Sequence, residues 1–123
     1  MKLTGTTGGA RLQQALSAGN LTLAKAAGYV VFGAKLYVPA GSASSVGRIA
    51  VTQSGTGAVS RTQRSGAISA NDGWVWSFIE IPVASTITGM TAVLYCDSAA
   101  NASSTVYYET AIMVEGRLPK DLA

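Results

Sequence analysis

Apolar and polar residues alternate in short segments along the chain, and turns rich in glycine and small polar residues separate these segments. Alternation with a period of two is the pattern of a β-strand that buries one face. The clearest case is 29–38, where Val30, Phe32, Ala34, Leu36 and Val38 form one uniformly apolar row. The pattern predicts strands at 3–6, 10–16, 21–25, 29–38, 46–54, 58–64, 73–83, 90–96 and 104–114.

One inward face on each of about eight strands is what two packed sheets require. The chain has 123 residues, of which 48% are hydrophobic and 12% are charged, and this is enough for one core. We therefore expect residues 1–123 to form a single all-β domain, an antiparallel two-sheet β-sandwich with jelly-roll topology. Segment 10–18 also has good helix propensity, but its flanking glycines suit a strand pair equally well, and we predict a strand.

In three segments the alternation bears on which side chains point away from the core. In 46–54, Ile49 and Val51 point opposite to Arg48. In 105–115, the drier face consists of Val106, Tyr108, Thr110, Ile112 and Val114. Segment 74–81 is less clear, because both of its faces are largely apolar and both stay open as core faces. If Val75, Ile79 and Ile81 are the inward set, Trp76 and Phe78 lie on the exposed or half-exposed face beside Glu80. Apolar patches of that kind usually bind something.

Charge is distributed unevenly along the sequence. All six carboxylates lie from Asp72 onward, whereas every basic residue except Arg117 and Lys120 precedes Asp72. In separate domains this would indicate a basic arm for nucleic acid. In a sandwich the two halves interleave, so we expect the charges to mix on the same faces and expect no nucleic-acid partner.

Several kinds of chemistry lack the residues they need. The chain has no histidine and one cysteine, Cys96, which removes the usual nucleophile–histidine pairs and any credible zinc site. Glu109 and Glu115 would lie roughly 20 Å apart on one strand, about twice the widest spacing of a glycosidase pair. A cross-strand pair of Glu80 and Glu109 stays open. With these residue types missing, we expect no enzyme activity. We also expect no insertion into a membrane, because no apolar run is long enough to cross one.

Four segments together resemble a known kind of module. They are 3–14 (LTGTTGGARLQQ), 27–41 (AGYVVFGAKLYVPAG), 72–82 (DGWVWSFIEIP) and 106–119 (VYYETAIMVEGRLP). In this order they resemble the carbohydrate-binding-module-like jelly rolls of bacteriophage tail fibres and other virion appendages. Such modules commonly carry a G-x-Y-x-F-S-x-x-V-x-x-P-x-G strand, a G-W strand and a closing Q-L/M-V-E-x-G-x-x-P strand.

The resemblance implies a non-catalytic attachment module of the virion that binds host-surface glycan. Its expected partners are a glycan or cell-surface polysaccharide, other virion subunits and further copies of the chain. The alternatives are a purely structural virion module and an accessory domain of a secreted glycoside hydrolase. Family members usually have a segment upstream of the position of Leu3, so excision from a longer chain is compatible with the start at Met1.

Sugar recognition needs an aromatic platform and planar polar groups beside it. The outward rows of the predicted strands offer one such set: Tyr37, Arg48, Trp76, Tyr107 and Glu109. Other readings remain open, namely half-buried tyrosines, an Arg48–Glu109 ion pair, and a Trp76 in the core or in a subunit interface. We expect no cofactor. Jelly rolls of this type often hold structural calcium, to which Asp72 and Asp97 could contribute, but no calcium-loop spacing is present.

Overall fold

The computed structural model describes residues 2–5, 10–39, 47–64, 73–96 and 104–117. Within these ranges the chain forms eight strands and one helix. The elements are β1 (Lys2–Gly5), β2 (Ala10–Ala15), α1 (Ala18–Ala27), β3 (Tyr29–Tyr37), β4 (Gly47–Gly55), β5 (Arg61–Arg64), β6 (Val75–Pro82), β7 (Ile87–Cys96) and β8 (Ser104–Glu115).

The strands form two antiparallel sheets of four strands each. Sheet A has the order β1-β8-β3-β6, and sheet B has the order β2-β7-β4-β5. The first strand therefore pairs with the last, the second with the seventh, the third with the sixth and the fourth with the fifth. This nested pairing, in which successive strands alternate between the sheets except at the central β4–β5 pair, is the jelly-roll arrangement. The predicted all-β sandwich is confirmed.

The core lies between the sheets and contains the rows that the alternation predicts. In β3 the predicted inward residues are all buried, with Ala34 and Val38 fully inaccessible. Sheet B contributes Ile49 and Val51 to the same core. In β6, Ile79 and Ile81 are buried and Val75 packs against the cluster, so the predicted inward set is correct.

The strand predicted at 21–25 is wrong, because those residues belong to α1. The hydroxyl of Ser17 caps the helix by accepting a hydrogen bond from the Asn20 N–H at 3.2 Å. The helix ends at Gly28, which adopts the left-handed conformation with φ of 79° and donates its N–H to the carbonyl of Ala24. The alanines between these caps favour helix, and alternation over five residues was too short to outweigh them.

The predicted drier face of β8 is right at its start and wrong at its end. Val106 and Tyr108 are buried, but Ile112 and Val114 are about half exposed. A register shift between Lys35 and Leu36 of β3 makes Tyr108 the partner of Leu36 and Thr110 the partner of Lys35. The extra residue, Glu109, reverses the alternation, so that Met113 packs against the core instead.

The expectation that charges mix on the same faces is met on sheet A, where Lys35 pairs with Glu109, but it is not met by the described strands of sheet B. By sequence, the strands of sheet B contain Arg11, Arg48, Arg61 and Arg64 and no acidic residue. Sheet A carries Lys2 and Lys35 together with Glu80, Glu109 and Glu115. The topology places β2, β4 and β5, with their basic residues, in sheet B, whereas the described strands of sheet A carry both signs of charge.

Candidate functional site

The outer face of sheet A carries a group of aromatic side chains on three adjacent strands. We call this surface the aromatic face; its members are Tyr37 of β3, Trp74 and its neighbours Trp76 and Phe78 of β6, and Tyr107 of β8. The two tryptophans are 47% and 44% exposed, which is high for residues of this size. The face therefore offers solvent-accessible ring surface.

Three of the rings form a row that crosses the strands. Tyr37 lies opposite Tyr107 in the β3–β8 register, and their ring centroids are 6.3 Å apart with an angle of 30° between the planes. On its other side Tyr37 lies next to Trp74, with ring centroids 5.6 Å apart and again an angle of 30° between the planes. The ammonium of Lys2 lies 5.9 Å from the centroid of the Tyr107 ring and ends the row on β1. Because the angles between neighbouring ring planes are small, the faces of the three rings point in similar directions.

The other two rings form a stacked pair next to this row. Trp76 and Phe78 have centroids 5.6 Å apart and planes within 9° of each other. Gly33, opposite Phe78 on β3, makes room for the phenyl ring, since a Cβ added at Gly33 would lie 2.7 Å from two of its carbon atoms. The ring thus occupies space that a side chain on β3 would otherwise fill.

An ion pair lies among the rings. The ammonium of Lys35 is 3.3 Å from a carboxylate oxygen of Glu109, and the two side chains are 33% and 55% exposed. Lys35 also lies opposite Trp76 in the β3–β6 register. The aromatic face therefore has hydrogen-bonding groups within reach of its rings, with a donor and an acceptor next to each other.

Four of the five predicted site residues lie on this face: Tyr37, Trp76, Tyr107 and Glu109. The fifth, Arg48, lies on β4 of sheet B, and its guanidinium carbon is 3.7 Å from the centre of the Tyr95 ring. The five residues therefore do not all lie on one face, because β4 belongs to the other sheet. The suggested Arg48–Glu109 ion pair is wrong, because Lys35 is the partner of Glu109. A ligand role for any of the five stays a prediction.

The cross-strand carboxylate pair that the sequence left open is widely separated. Glu80 lies opposite Val31, and Glu109 lies at the level of Lys35, four residues further along β3. That offset alone is about 13 Å at roughly 3.3 Å per residue, beyond the spacing of either kind of glycosidase pair. Glu80 is instead paired with Arg117. Its Oε1 accepts a hydrogen bond from the Arg117 Nε at 3.0 Å and lies 2.9 Å from the Arg117 Nη2.

Sequence reasoning missed two members of the aromatic face and one contact. Trp74, Phe78 and Lys2 are absent from the site set that the sequence predicts. The sequence alone is enough to place Phe78 on this face, because it lies two residues after Trp76 in the same strand. The neighbours of Trp74 and Lys2 follow from strand order, which alternation within a strand does not reveal.

A groove of about 810 Å³ lies between β2, α1 and β8 and is lined largely by apolar residues, among them Leu12, Leu23 and Met113. The described residues hold no cluster of three possible metal ligands. Asp72 and Asp97, the suggested calcium ligands, lie outside the described ranges. No helix among the described residues is long and apolar enough to cross a membrane.

The fold is similar to that of a solved structure titled "Family 16 Carbohydrate Binding Module-2". The TM-score is 0.62, and the similarity covers 93% of this chain and 74% of the other at 16% sequence identity. The sequence matches no protein-family model and no curated protein. At this identity the similarity shows a common fold.

Proposed function

We propose that the chain is a non-catalytic glycan-binding module and that the aromatic face is its binding surface. The observation that supports this most directly is the row of Tyr107, Tyr37 and Trp74 rings across three strands. A structural neighbour titled as a carbohydrate-binding module supports the same function.

The physical argument starts from the two surfaces of a pyranose ring. Its C–H groups form an apolar face that packs on an aromatic ring, and its equatorial hydroxyls need hydrogen-bonding partners. The aromatic face supplies rings of similar tilt for the first requirement. The Lys35 ammonium and the Glu109 carboxylate supply charge-assisted donors and acceptors for the second.

The size of the face indicates how many sugar units it would contact. Neighbouring strands lie about 4.8 Å apart, so the row from β8 to β6 spans roughly 10 Å between backbones. This is room for a short stretch of a glycan chain. Such a contact is shallow, and we expect weak affinity at a single site.

Weak single-site affinity fits display in many copies. We propose that the module belongs to a phage tail or fibre protein and attaches the virion to host-surface glycan, where linked copies raise the effective affinity by about 10²–10⁴-fold. The sequence resemblance to virion-appendage modules supports this context. The fold is equally suited to an accessory module of a secreted glycoside hydrolase. The two settings differ in the protein to which the domain is joined.

One observation favours a second candidate function. Ile112 and Val114 lie on β8 opposite Gly33 and Val31, next to the Trp76–Phe78 pair, and both are about half exposed. Together these residues extend the apolar surface beyond what a sugar needs. In the second candidate function, the aromatic face docks against a neighbouring virion subunit or another copy of this chain.

Calorimetric titration with a panel of neutral oligosaccharides tests the first proposal. In Trp76→Ala and in Tyr107→Ala we expect binding to fall by tenfold or more, since loss of an aromatic contact costs about 1–3 kcal/mol. Leu23→Ala is the matched control, because Leu23 is 55% exposed on α1, which is not part of the aromatic face. Its affinity should equal that of the unmodified protein.

Sedimentation of the same variants separates the two functions. The docking function replaces the glycan proposal if the protein associates in a concentration-dependent way, if Trp76→Ala abolishes this association, and if no oligosaccharide binds. Binding that survives both substitutions would show that the glycan lies on another surface.

A further inference from the structure

The second half of β8 has a free edge. β1 pairs with β8 from Ser104 to Tyr107. From Thr110 to Glu115, β8 pairs with β3 on one side, and no described strand lies on its other side. Residues 110–114 carry no charge and no proline, which are common means of protecting an edge from other strands. The edge therefore presents backbone N–H and C=O groups on an apolar strand.

Next to this edge, the space between the sheets is open. Leu12 of β2 and Ile49 of β4 lie on either side of Leu94 of β7, so all three point between the sheets. Ile49 is fully buried, whereas Leu12 is 50% exposed. Met113 of β8 faces the same space, opposite Phe32. The groove between β2, α1 and β8 thus has room for further apolar side chains.

From the free edge and the open groove together, we infer that this side of the sandwich binds an extended segment of a partner protein. The segment adds a strand to β8, and every second side chain points into the groove onto Leu12 and Met113. A lipid chain also suits apolar walls, but it offers no hydrogen bonds to the backbone groups of the edge. A peptide strand satisfies both the edge and the groove.

Charge indicates the chemistry of one end of the segment. Glu115 is the one charged residue among the described residues that line the groove, and it makes no ion pair with any described residue. A segment that runs antiparallel to β8, as β1 does, passes Glu115 with its N-terminal end. We therefore expect alternating apolar side chains that follow a lysine or arginine. A second copy of β8 contains no basic residue and does not supply this charge.

This inference goes beyond the proposed glycan-binding function and does not depend on it. Leu12 and Met113 face the space between the sheets, whereas the aromatic face lies on the outer side of sheet A. Peptide binding and glycan binding can therefore be measured separately on the same protein.

A synthetic peptide tests the inference on the full chain. The probe has blocked ends and about seven residues, a lysine followed by alternating valine and threonine, which matches the length of the free edge. Two control peptides carry N-methyl groups on alternate backbone nitrogens, in the two possible patterns. We expect the probe to bind and to slow hydrogen exchange of amides in 110–114. One N-methylated form should bind at least about tenfold more weakly, because it lacks the donors that face β8.

Leu12→Gln should weaken probe binding by about tenfold, because it removes the apolar contact in the groove. Thr52→Gln is the matched control, since it places the same side chain at an exposed position of β4 outside the groove. It should leave the affinity unchanged. Glu115→Gln should weaken binding of the lysine probe by about threefold and leave unchanged the binding of a probe that begins with glutamine.

The inference is overturned if the probe does not bind, if both N-methylated forms bind as tightly as the probe, or if Thr52→Gln weakens binding as much as Leu12→Gln. Concentration-dependent association that Leu12→Gln abolishes would assign the groove to a second copy instead. Binding of a fatty acid, with no binding of the probe, would assign it to a lipid. Glycan titration of the same samples reports on the proposed function alone.

Discussion

The hydroxyl of Tyr108 in sheet A lies 2.6 Å from the backbone carbonyl of Tyr95 in sheet B. The same oxygen accepts a hydrogen bond from the N–H of Arg48 at 3.3 Å. The Tyr108 side chain is buried, with 2% of its surface exposed, and therefore crosses the core to reach the opposite sheet. One side chain thus links the two layers with hydrogen bonds at a position where the rest of the contact is apolar.

Tyr108→Phe is expected to destabilise the fold by about 1–3 kcal/mol, the cost of leaving buried backbone groups without their partner. The change keeps the ring and removes one oxygen, so the packing of the core stays the same. Chemical denaturation measures the loss. Tyr107→Phe, at a half-buried outward position, is the control and should shift the midpoint far less. Equal midpoints for both variants would show that the Tyr108 hydroxyl contributes nothing to stability.

Gly33→Ala should disturb the stacked pair of Trp76 and Phe78. The added methyl would lie 2.7 Å from Phe78 ring atoms, so the ring must move away from Trp76. We expect a changed near-ultraviolet circular dichroism signal and weaker glycan binding, at a cost in stability of about 1–3 kcal/mol.

Gly19→Ala is the matched glycine control. Gly19 lies in α1, and a Cβ added there has nothing within 4 Å. Alanine should stabilise the helix by about 0.5–1 kcal/mol and leave the near-ultraviolet signal unchanged. An unchanged signal in Gly33→Ala would contradict the geometry described for the pair.

Ser17→Ala removes the side chain that caps α1 and should cost about 1 kcal/mol. Thermal unfolding followed by circular dichroism measures the loss. Ser17→Asp should restore the stability, because aspartate caps equally well and adds a negative charge where the first turn of α1 has none. A restored midpoint in Ser17→Asp confirms the cap, and an unchanged midpoint in Ser17→Ala argues against it.

Glu109→Gln should change the stability of the fold by less than about 0.5 kcal/mol, because its ion pair with Lys35 is largely exposed. The same substitution should weaken glycan binding, since an amide accepts weaker hydrogen bonds than a carboxylate. Denaturation and calorimetry on one sample separate the effects. A large loss of stability with unchanged binding would make Glu109 a structural residue.

Alternation along single strands predicted the core well, because burial of one face imposes a period of two. The rows of β3 and of β6 are correct to the residue, and they put Trp76 and Phe78 outward. The pattern failed where one residue breaks the period. Glu109 is the extra residue at a bulge, and nothing in the local sequence of β8 marks it as one.

Relations between strands were harder to predict than the strands themselves. Tyr37 and Tyr107 share a face because β3 and β8 are neighbours, and Arg48 is excluded from that face because β4 belongs to the other sheet. Neither fact follows from periodicity. The order of strands depends on how the whole chain folds, and it also explains why the described strands of sheet B contain basic residues and no acidic ones.

The central claim is that glycan lies on the aromatic face of sheet A. Nuclear magnetic resonance titration of the labelled protein with a neutral oligosaccharide tests it most directly. The account predicts that the indole N–H signals of Trp74 and Trp76 and the backbone signals of Lys35, Tyr37 and Tyr107 shift together, with those of α1 unmoved. Shifts confined to sheet B or to the groove beside α1, or no shift at all across the oligosaccharide panel, would contradict it.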